Sequence, residues 1–364
     1  MPRRAATLAA LLLAVAACGS PGGSGWTGSP SVAVSRPTPA GASAPPETAL
    51  PTEVGARASA PVTGVLEVVE YPVAAGSHPH DVAPAADGGV WFTAQRTGQL
   101  GHLDPGSGQV DLVDLGRGSS PHGVIVGPDD AAWVTDGGLN AIVRVDAGDQ
   151  RVDVFRLPAH AAGANLNTAT FDGDGTLWFT GQAGFVGRLN PGSGLVEAFP
   201  APKGTGPYGI ATTPDGEVWF VSLAGSYLGR IDRGTGDLTV IDPPTARQGA
   251  RRVWSDPEGR LLISEYAAGQ VGRYDPATQA WEEWPIPGDR PAQPYAIFVD
   301  EQGIAWLSDF GNDVLLRFDP ASGEFTPIRL PTAGAAVRQL LGRPGEVWGA
   351  ESATDRLVLI RTGG

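Results

Sequence analysis

Gly88-Gly89-Val90-Trp91-Phe92-Thr93 and Gly216-Glu217-Val218-Trp219-Phe220-Val221 are two copies of one short phrase, a turn residue leading into an apolar stretch centred on tryptophan. The phrase recurs along the chain, its anchor falling at Trp91, Trp133, Trp178, Trp219, Leu262, Trp306 and Trp348, at spacings of 42, 45, 41, 43, 44 and 42 residues. A period in the forties with one anchor per unit predicts four-stranded propeller blades, seven of them. Each unit divides in the same way: an inner A strand such as Gly123-Val124-Ile125-Val126, a B strand with the anchor, a C strand such as Val186-Gly187-Arg188-Leu189, and a D strand such as Ala280-Trp281-Glu282-Glu283-Trp284. Asp-Pro-Gly, Pro-Gly-Ser-Gly and Asp-Gly turn formers separate them, and no segment has helical periodicity. The fold class is therefore all-β, a seven-bladed β-propeller.

Counting strands also predicts how the ring closes. The seventh unit ends with its C strand, Arg356-Leu357-Val358-Leu359-Ile360, while Val65-Leu66-Glu67-Val68-Val69-Glu70-Tyr71 is a surplus D-type strand before the first. Pairing the two completes the last blade and leaves no blade a strand short. The propeller is expected over residues 64–362. A closed ring needs no partner, so a monomer is expected.

Composition agrees with this reading. Of 364 residues, 52 are Gly and 33 Pro, a turn-rich balance unlike a helical bundle, and 41% are hydrophobic, enough for a core. The net charge of −14 repels phosphate backbones, so no nucleic-acid partner is expected. A single Cys, outside the folded body, excludes disulfides, cysteine zinc sites and catalytic thiols there. Residues 1–18 read as an export signal, with Arg3 and Arg4 before an apolar run too short to span a bilayer. Its end, Val15-Ala16-Ala17-Cys18, resembles the lipobox of bacterial lipoproteins, which implies lipidation of Cys18. Residues 19–63, rich in Gly, Ser, Pro, Ala and Thr, read as a disordered tether. The expected location is extracytoplasmic, held to the cell membrane by the lipid alone.

Pro121-His122-Gly123 or Pro207-Tyr208-Gly209 at the inner strand, the run from Asp87 to Thr93, and the segments Val186–Gly194 and Leu228–Gly236 together resemble the virginiamycin B lyase, or streptogramin B lyase, family. The resemblance covers essentially all of 64–362. It implies a magnesium-dependent carbon–oxygen lyase that opens a cyclic depsipeptide at its ester by elimination. It also implies an inner-strand histidine in each of the last two blades and a glutamate one strand on in the last. In this sequence those positions are Tyr295, Arg338 and Glu351, so only the acid is kept.

Candidate site residues follow from the A–B hairpins, whose open ends lie at one face. Symmetry about each turn pairs His80 with Ala94, His122 with Asp136, Asn167 with Gly181, Tyr208 with Ser222, Arg251 with Glu265, Tyr295 with Asp309 and Arg338 with Glu351. The His122/Asp136 pair is either structural or a general base with its orienting acid, since a carboxylate fixes the tautomer of an imidazole. His80 occupies the same position one blade earlier, which repeats the family's two-histidine arrangement at blades 1 and 2. Closure brings Glu351 toward His80, so His80, His122, Asp136 and Glu351 form a candidate divalent-metal set, with His78 and His160 on or near that face. Imidazole and carboxylate suit zinc, manganese or iron better than magnesium. Arg251/Glu265 and Arg338/Glu351 are either rim salt bridges or, through their arginines, forked donors to an anionic or carbonyl-rich ligand. Tyr208 and Tyr295 line the wall or stack on a ligand.

Three functional readings stand: a lyase acting on a small cyclic or peptide-like ligand in the central funnel, a non-catalytic envelope-binding propeller, and a metal-dependent lactonase using ring carboxylates and Asn167. Asp172-Gly173-Asp174-Gly175 is a hairpin turn rather than a calcium loop, lacking the distal glutamate. Neither a nucleophile elbow nor a phosphate loop is present.

Overall fold

The computed structural model describes residues 66–362; the signal peptide at 1–18, lipidation at Cys18 and the tether at 19–63 lie outside the described residues. Seven separate four-stranded antiparallel sheets follow one another, each in the order A-B-C-D. Blade 1 runs from Pro79 to Asp114, and blade 6 from Pro294 to Ile328. In blade 7 the strand Glu67–Pro72 lies beside Arg356–Arg361, with Val69 opposite Leu359. The N-terminal strand thus supplies the missing D position, as the strand count requires. One short 3-10 turn, Ala159–Ala161, is the only helix among the described residues.

The repeat residues explain why these sheets stack. Trp178 and Trp348 are fully buried between neighbouring blades, with Trp306 almost so, and Leu262 fills the same place in blade 5. The C strand gives each anchor a cross-strand cover: Arg144, Arg188 and Arg230 sit opposite Trp133, Trp178 and Trp219. Their guanidiniums lie 5.6–5.9 Å from the indole centroids, within cation–π range. The glycine before each of the last two of these arginines has a steric reason. A β-carbon on Gly187 would stand 2.3 Å from the ring of Phe179, and on Gly229 2.1 Å from Phe220. The phrase Trp-Phe on one strand therefore requires glycine on the next, as Gly101 opposite Phe92 also shows, with His102 in the place of the arginine.

Register departs from simple hairpin symmetry in one respect that decides the site. Near the turn the pairing is symmetric, Val82 facing Phe92 and Gly123 facing Thr135. At the open end it slips by one, so that Pro79 faces Ala94, Pro121 faces Asp136 and Val337 faces Glu351. A β-bulge at every A strand inserts one unpaired residue. His80, His122, Asn167, Tyr208, Arg251, Tyr295 and Arg338 sit at these bulges. They are not the cross-strand partners of the residues matched to them above.

Each bulge frees a backbone N–H, and in blades 1, 2, 3, 5 and 6 a hydroxyl two residues after the anchor receives it, whereas blades 4 and 7 have Val221 and Ala350 there. Thr93 accepts from Asp81 N–H at 3.0 Å, Thr135 from Gly123 at 2.9 Å, Ser264 from Arg252 at 3.0 Å and Ser308 from Ala296 at 3.0 Å. Thr93, Thr135 and Ser264, together with Thr180, which accepts from Thr168 N–H at 3.3 Å, donate onward to the bulge carbonyl of the next blade: Thr93 to His122, Thr135 to Asn167, Thr180 to Tyr208 and Ser264 to Tyr295. Thr135→Val would leave a buried N–H and a buried carbonyl unmet. We expect a loss of about 2–4 kcal/mol in unfolding free energy, measured by urea titration.

Candidate functional site

The bulge changes which way the inner strand faces. Two consecutive residues per A strand, rather than one, reach the central channel, as His80 with Asp81, Asn167 with Thr168 and Arg251 with Arg252. Asp81, Thr168 and Arg252 are functional candidates that sampling one residue per strand overlooked. The available signal was the hydroxyl after Trp-Phe, which marks where the ladder breaks.

A compact polar cluster fills the channel. His80 Nδ1 lies 2.7 Å from Asp81 Oδ1, and Arg252 reaches across from blade 5 to place a guanidinium nitrogen 3.0 Å from that carboxylate. Arg252 also donates to Thr168 Oγ1 at 2.6 Å, joining blades 1, 3 and 5. The rings of His80 and His122 are in contact, tilted at 44° with centroids 3.8 Å apart. His122 is held by Asn167, Nδ1 against its carbonyl at 3.2 Å and Nε2 against its side-chain amide at 3.3 Å. A β-carbon on Gly123 would meet that same carbonyl at 2.6 Å, so glycine is needed beside His122.

On the other side of the channel Tyr208 and Tyr295 share a hydrogen bond of 2.9 Å between hydroxyls. Arg251 donates to Tyr208 Oη at 2.7 Å and lies 3.5 Å above the Tyr295 ring. Arg338 donates to Ser352 Oγ at 2.8 Å and to Tyr295 Oη at 3.2 Å.

The electrostatics are those of a buried, cation-rich centre. Burial first, then the guanidiniums of Arg338, Arg252 and Arg251, holds His80 well below the ordinary histidine range. Burial and the neighbouring His80 do the same to His122, against an opposing pull from Asp81. Both shifts favour the neutral imidazole, the form in which one ring nitrogen has a free lone pair. Burial pushes the Asp81 carboxyl up, with Arg252 acting the other way. Burial also raises Tyr208, while at Tyr295 the Arg251 and Arg338 charges outweigh burial and lower the phenol.

Several expected partnerships do not form. Asp136 accepts from Ser119 Oγ at 2.5 Å and from the N–H groups of Ser120 and Leu139, both at 2.9 Å, so it organises a loop and does not orient His122. The expected Arg251/Glu265 and Arg338/Glu351 pairs are absent, because both glutamates turn sideways into their own blades. Glu265 accepts from Gln270 Nε2 at 2.6 Å and Glu351 from Thr354 Oγ1 at 2.8 Å. Glu351 is thus not beside His80, and the metal set His80, Asp136 and Glu351 is not assembled. His160 points away, its Nε2 3.0 Å from the Ala198 carbonyl.

His80, Asp81 and His122 do bring ligand-type atoms within 4.8 Å of one another. That donor set does not fit magnesium, which takes oxygen ligands in an octahedron. Two of the three donors are imidazoles, and the one carboxylate is already paired with Arg252. A wide cleft of about 890 Å³ lies elsewhere, between blades 4 and 5, lined by Trp219, Arg230, Tyr274 and Trp281. It contains no histidine, so the chemistry points to the channel.

Burial raises Glu265 to about 8 and Glu351 to about 7, with Glu283 and Glu70 adding repulsion. Both folded values exceed the unfolded one, so the stability they confer is full below the ordinary glutamate range and is lost as pH rises through 7 to 8. The double variant Glu265→Gln, Glu351→Gln should show a flatter fall of melting temperature across that interval and exceed wild type at its alkaline end, by scanning calorimetry.

The comparisons with known proteins agree with this architecture. The model of the virginiamycin B lyase family matches residues 29–237, more than half of the chain. A curated virginiamycin B lyase from Nocardia farcinica is 41% identical over 80 residues, 21% of this chain and 27% of the relative, so the match spans about a quarter of that protein's length. Among solved structures, selenomethionine-substituted virginiamycin B lyase from Staphylococcus aureus superposes with a TM-score of 0.75 at 19% identity, covering 82% of this chain and 99% of that one. A streptogramin B lyase structure gives 0.74 at 23% identity, covering 81% and 97%. A catalytically inactive histidine variant of the Staphylococcus aureus enzyme, solved with quinupristin, gives 0.75 at 20%, covering 82% and 99%. At these identities the structural likeness concerns the fold.

Proposed function

The chain belongs to the virginiamycin B lyase family, and from that premise we propose that it is a carbon–oxygen lyase that opens a small ester ligand in its central funnel by elimination, with His80 as the base. The observation that carries this reading is the 2.7 Å contact between His80 Nδ1 and Asp81. A carboxylate on Nδ1 holds the proton there and leaves Nε2 as the acceptor. The sequence suggested this role for His122 and Asp136; here it falls to His80 and the residue that follows it at the bulge of the preceding blade.

In the proposed step Nε2 of His80 takes a proton from the alcohol side of the ester, from the carbon that is α to a neighbouring carbonyl and adjacent to the carbon bearing the ester oxygen. The released electron pair forms the carbon–carbon double bond, and the β carbon–oxygen bond breaks with departure of the carboxylate. No water is added. Arg251 and Arg338 stabilise the charge that develops on the carbonyl oxygen. Asp81 and Arg252 hold His80 in place; they are positioning residues. His122 packs against His80, with Asn167 fixing its ring. No step is assigned to a divalent cation, since the channel donors do not suit magnesium.

A second reading, a binding propeller without catalysis, is favoured by one observation: the two inner-strand positions where the family resemblance implies histidine hold Tyr295 and Arg338. On either reading the proposed setting is outside the cytoplasm, with Cys18 lipidated and the membrane touched through the lipid.

Quinupristin, the ligand of the related structure, is the first substrate to test. The expected result is a ring-opened product without oxygen from labelled water, formed about 10²–10⁴ times more slowly by His80→Ala. Incorporation of labelled oxygen would indicate hydrolysis by a lactonase. Full activity in His80→Ala would remove the base from this assignment, and no turnover of any cyclic ester would favour the binding reading.

A further inference from the structure

Three guanidiniums converge on the channel, and only one has an acid to answer it. Arg252 is paired with Asp81. Arg251, only 7% exposed, has a tyrosine hydroxyl and the ring faces of Tyr295, Tyr208 and Tyr266 at 3.5, 4.5 and 5.0 Å, and its Nε has no hydrogen-bond partner. Arg338 has a serine and a tyrosine, both neutral donors or acceptors. Among the described residues no carboxylate forms an ion pair with either one, although the chain carries a net charge of −14. The two glutamates placed to neutralise them turn away into the blades.

A buried guanidinium without a counter-charge is costly, and aromatic faces offset only part of that cost. Such an arrangement persists where a ligand supplies the missing charge. The shape of the surroundings narrows the ligand. Tyrosine rings crowd Arg251, and its unmet N–H, on Nε, lies in the guanidinium plane. An in-plane edge of this kind presents parallel N–H groups, which match the two oxygens of a planar carboxylate. Arg338, partly exposed at the same side of the channel, offers the first contact.

We infer that blades 4 to 7 form a carboxylate-binding site, in which Arg338 and Arg251 hold the anionic end of a small ligand against the hydroxyls of Tyr208 and Tyr295. This goes beyond the elimination reading and does not rest on it, since binding requires no bond to break.

The test is calorimetric titration of the intact protein with acetate and with succinate, against chloride at matched ionic strength, acetamide as the neutral isostere, and inorganic phosphate. Saturable binding of the carboxylates, absent with chloride and acetamide and weakened at least tenfold in Arg338→Gln, is the expected result. Lys203→Gln, outside the channel, should bind like wild type, and a folded Arg251→Gln should lose binding. If Arg251→Gln fails to fold, Arg338→Gln alone decides. Binding of phosphate without carboxylate, a response shared with chloride, or affinity unchanged in Arg338→Gln would overturn the inference. So would a phenolate absorbance at neutral pH with no carboxylate binding, because Tyr295 would then be the counter-charge itself. Esterase or lyase assays on the same samples separate the two ideas: acetate binding without ring opening leaves this site standing, and ring opening without carboxylate binding removes it alone.

Discussion

In five of the seven blades a hydroxyl two residues beyond the buried anchor of the B strand ties the bulged inner strand in place. It accepts from the N–H that the A-strand bulge sets free and donates a hydrogen bond to the bulge carbonyl of the next blade, as Thr135 does between Gly123 and Asn167. Without it each bulge would bury unmet backbone groups, at a cost the packed tryptophans would have to offset. With it the irregularity becomes a joint between blades. The linkage runs from blade 1 to blade 4 and from blade 5 to blade 6. Where blade 7 meets blade 1, Gln339 takes over, accepting from the Val82 N–H at 3.0 Å.

That joint also determines the chemistry of the channel. An ordinary hairpin would send alternate residues to opposite faces; the bulge lets neighbours such as Arg251 and Arg252 both reach the centre. The result is a dense polar core in which Arg252 holds blade 5 to blades 1 and 3. Acids that hairpin symmetry aims at the ring residues turn elsewhere: Asp136 caps a loop instead of meeting His122, and Glu265, raised by burial, turns into its blade instead of meeting Arg251. The channel is therefore cationic inside an acidic protein. Geometry of the backbone, rather than composition, set that sign.

Much of the fold was legible because its signals are repeated. Seven anchors at nearly equal spacing, turn formers between strands and a surplus first strand determine blade number, strand order and closure. The site was legible only in outline. Its face, its ring positions and the presence of His80, His122, Asn167, Tyr208, Arg251, Tyr295 and Arg338 could be read from the pattern. Their partners could not, because a bulge is a one-residue event that leaves hydrophobic alternation near the turn intact. Asp81 was hidden for this reason: simple alternation turns it away from the channel. Loop capping by Asp136 was equally invisible, since it depends on the path of Ser119, Ser120 and Leu139.

The pairing of Glu67–Pro72 with Arg356–Arg361 has a consequence for how the molecule comes into being. Six blades are built from contiguous sequence and can form as the chain lengthens. The seventh joins the two ends of the domain, so its sheet cannot be completed until synthesis has delivered the last strand. Until then the first strand waits with its hydrogen-bonding edge unpaired, and His80 lacks the neighbour blade that supplies Arg338 and Gln339. Completion of blade 7 thus depends on the last strand of the domain, and a chain cut short before Arg356 would leave Glu67–Pro72 without its partner strand.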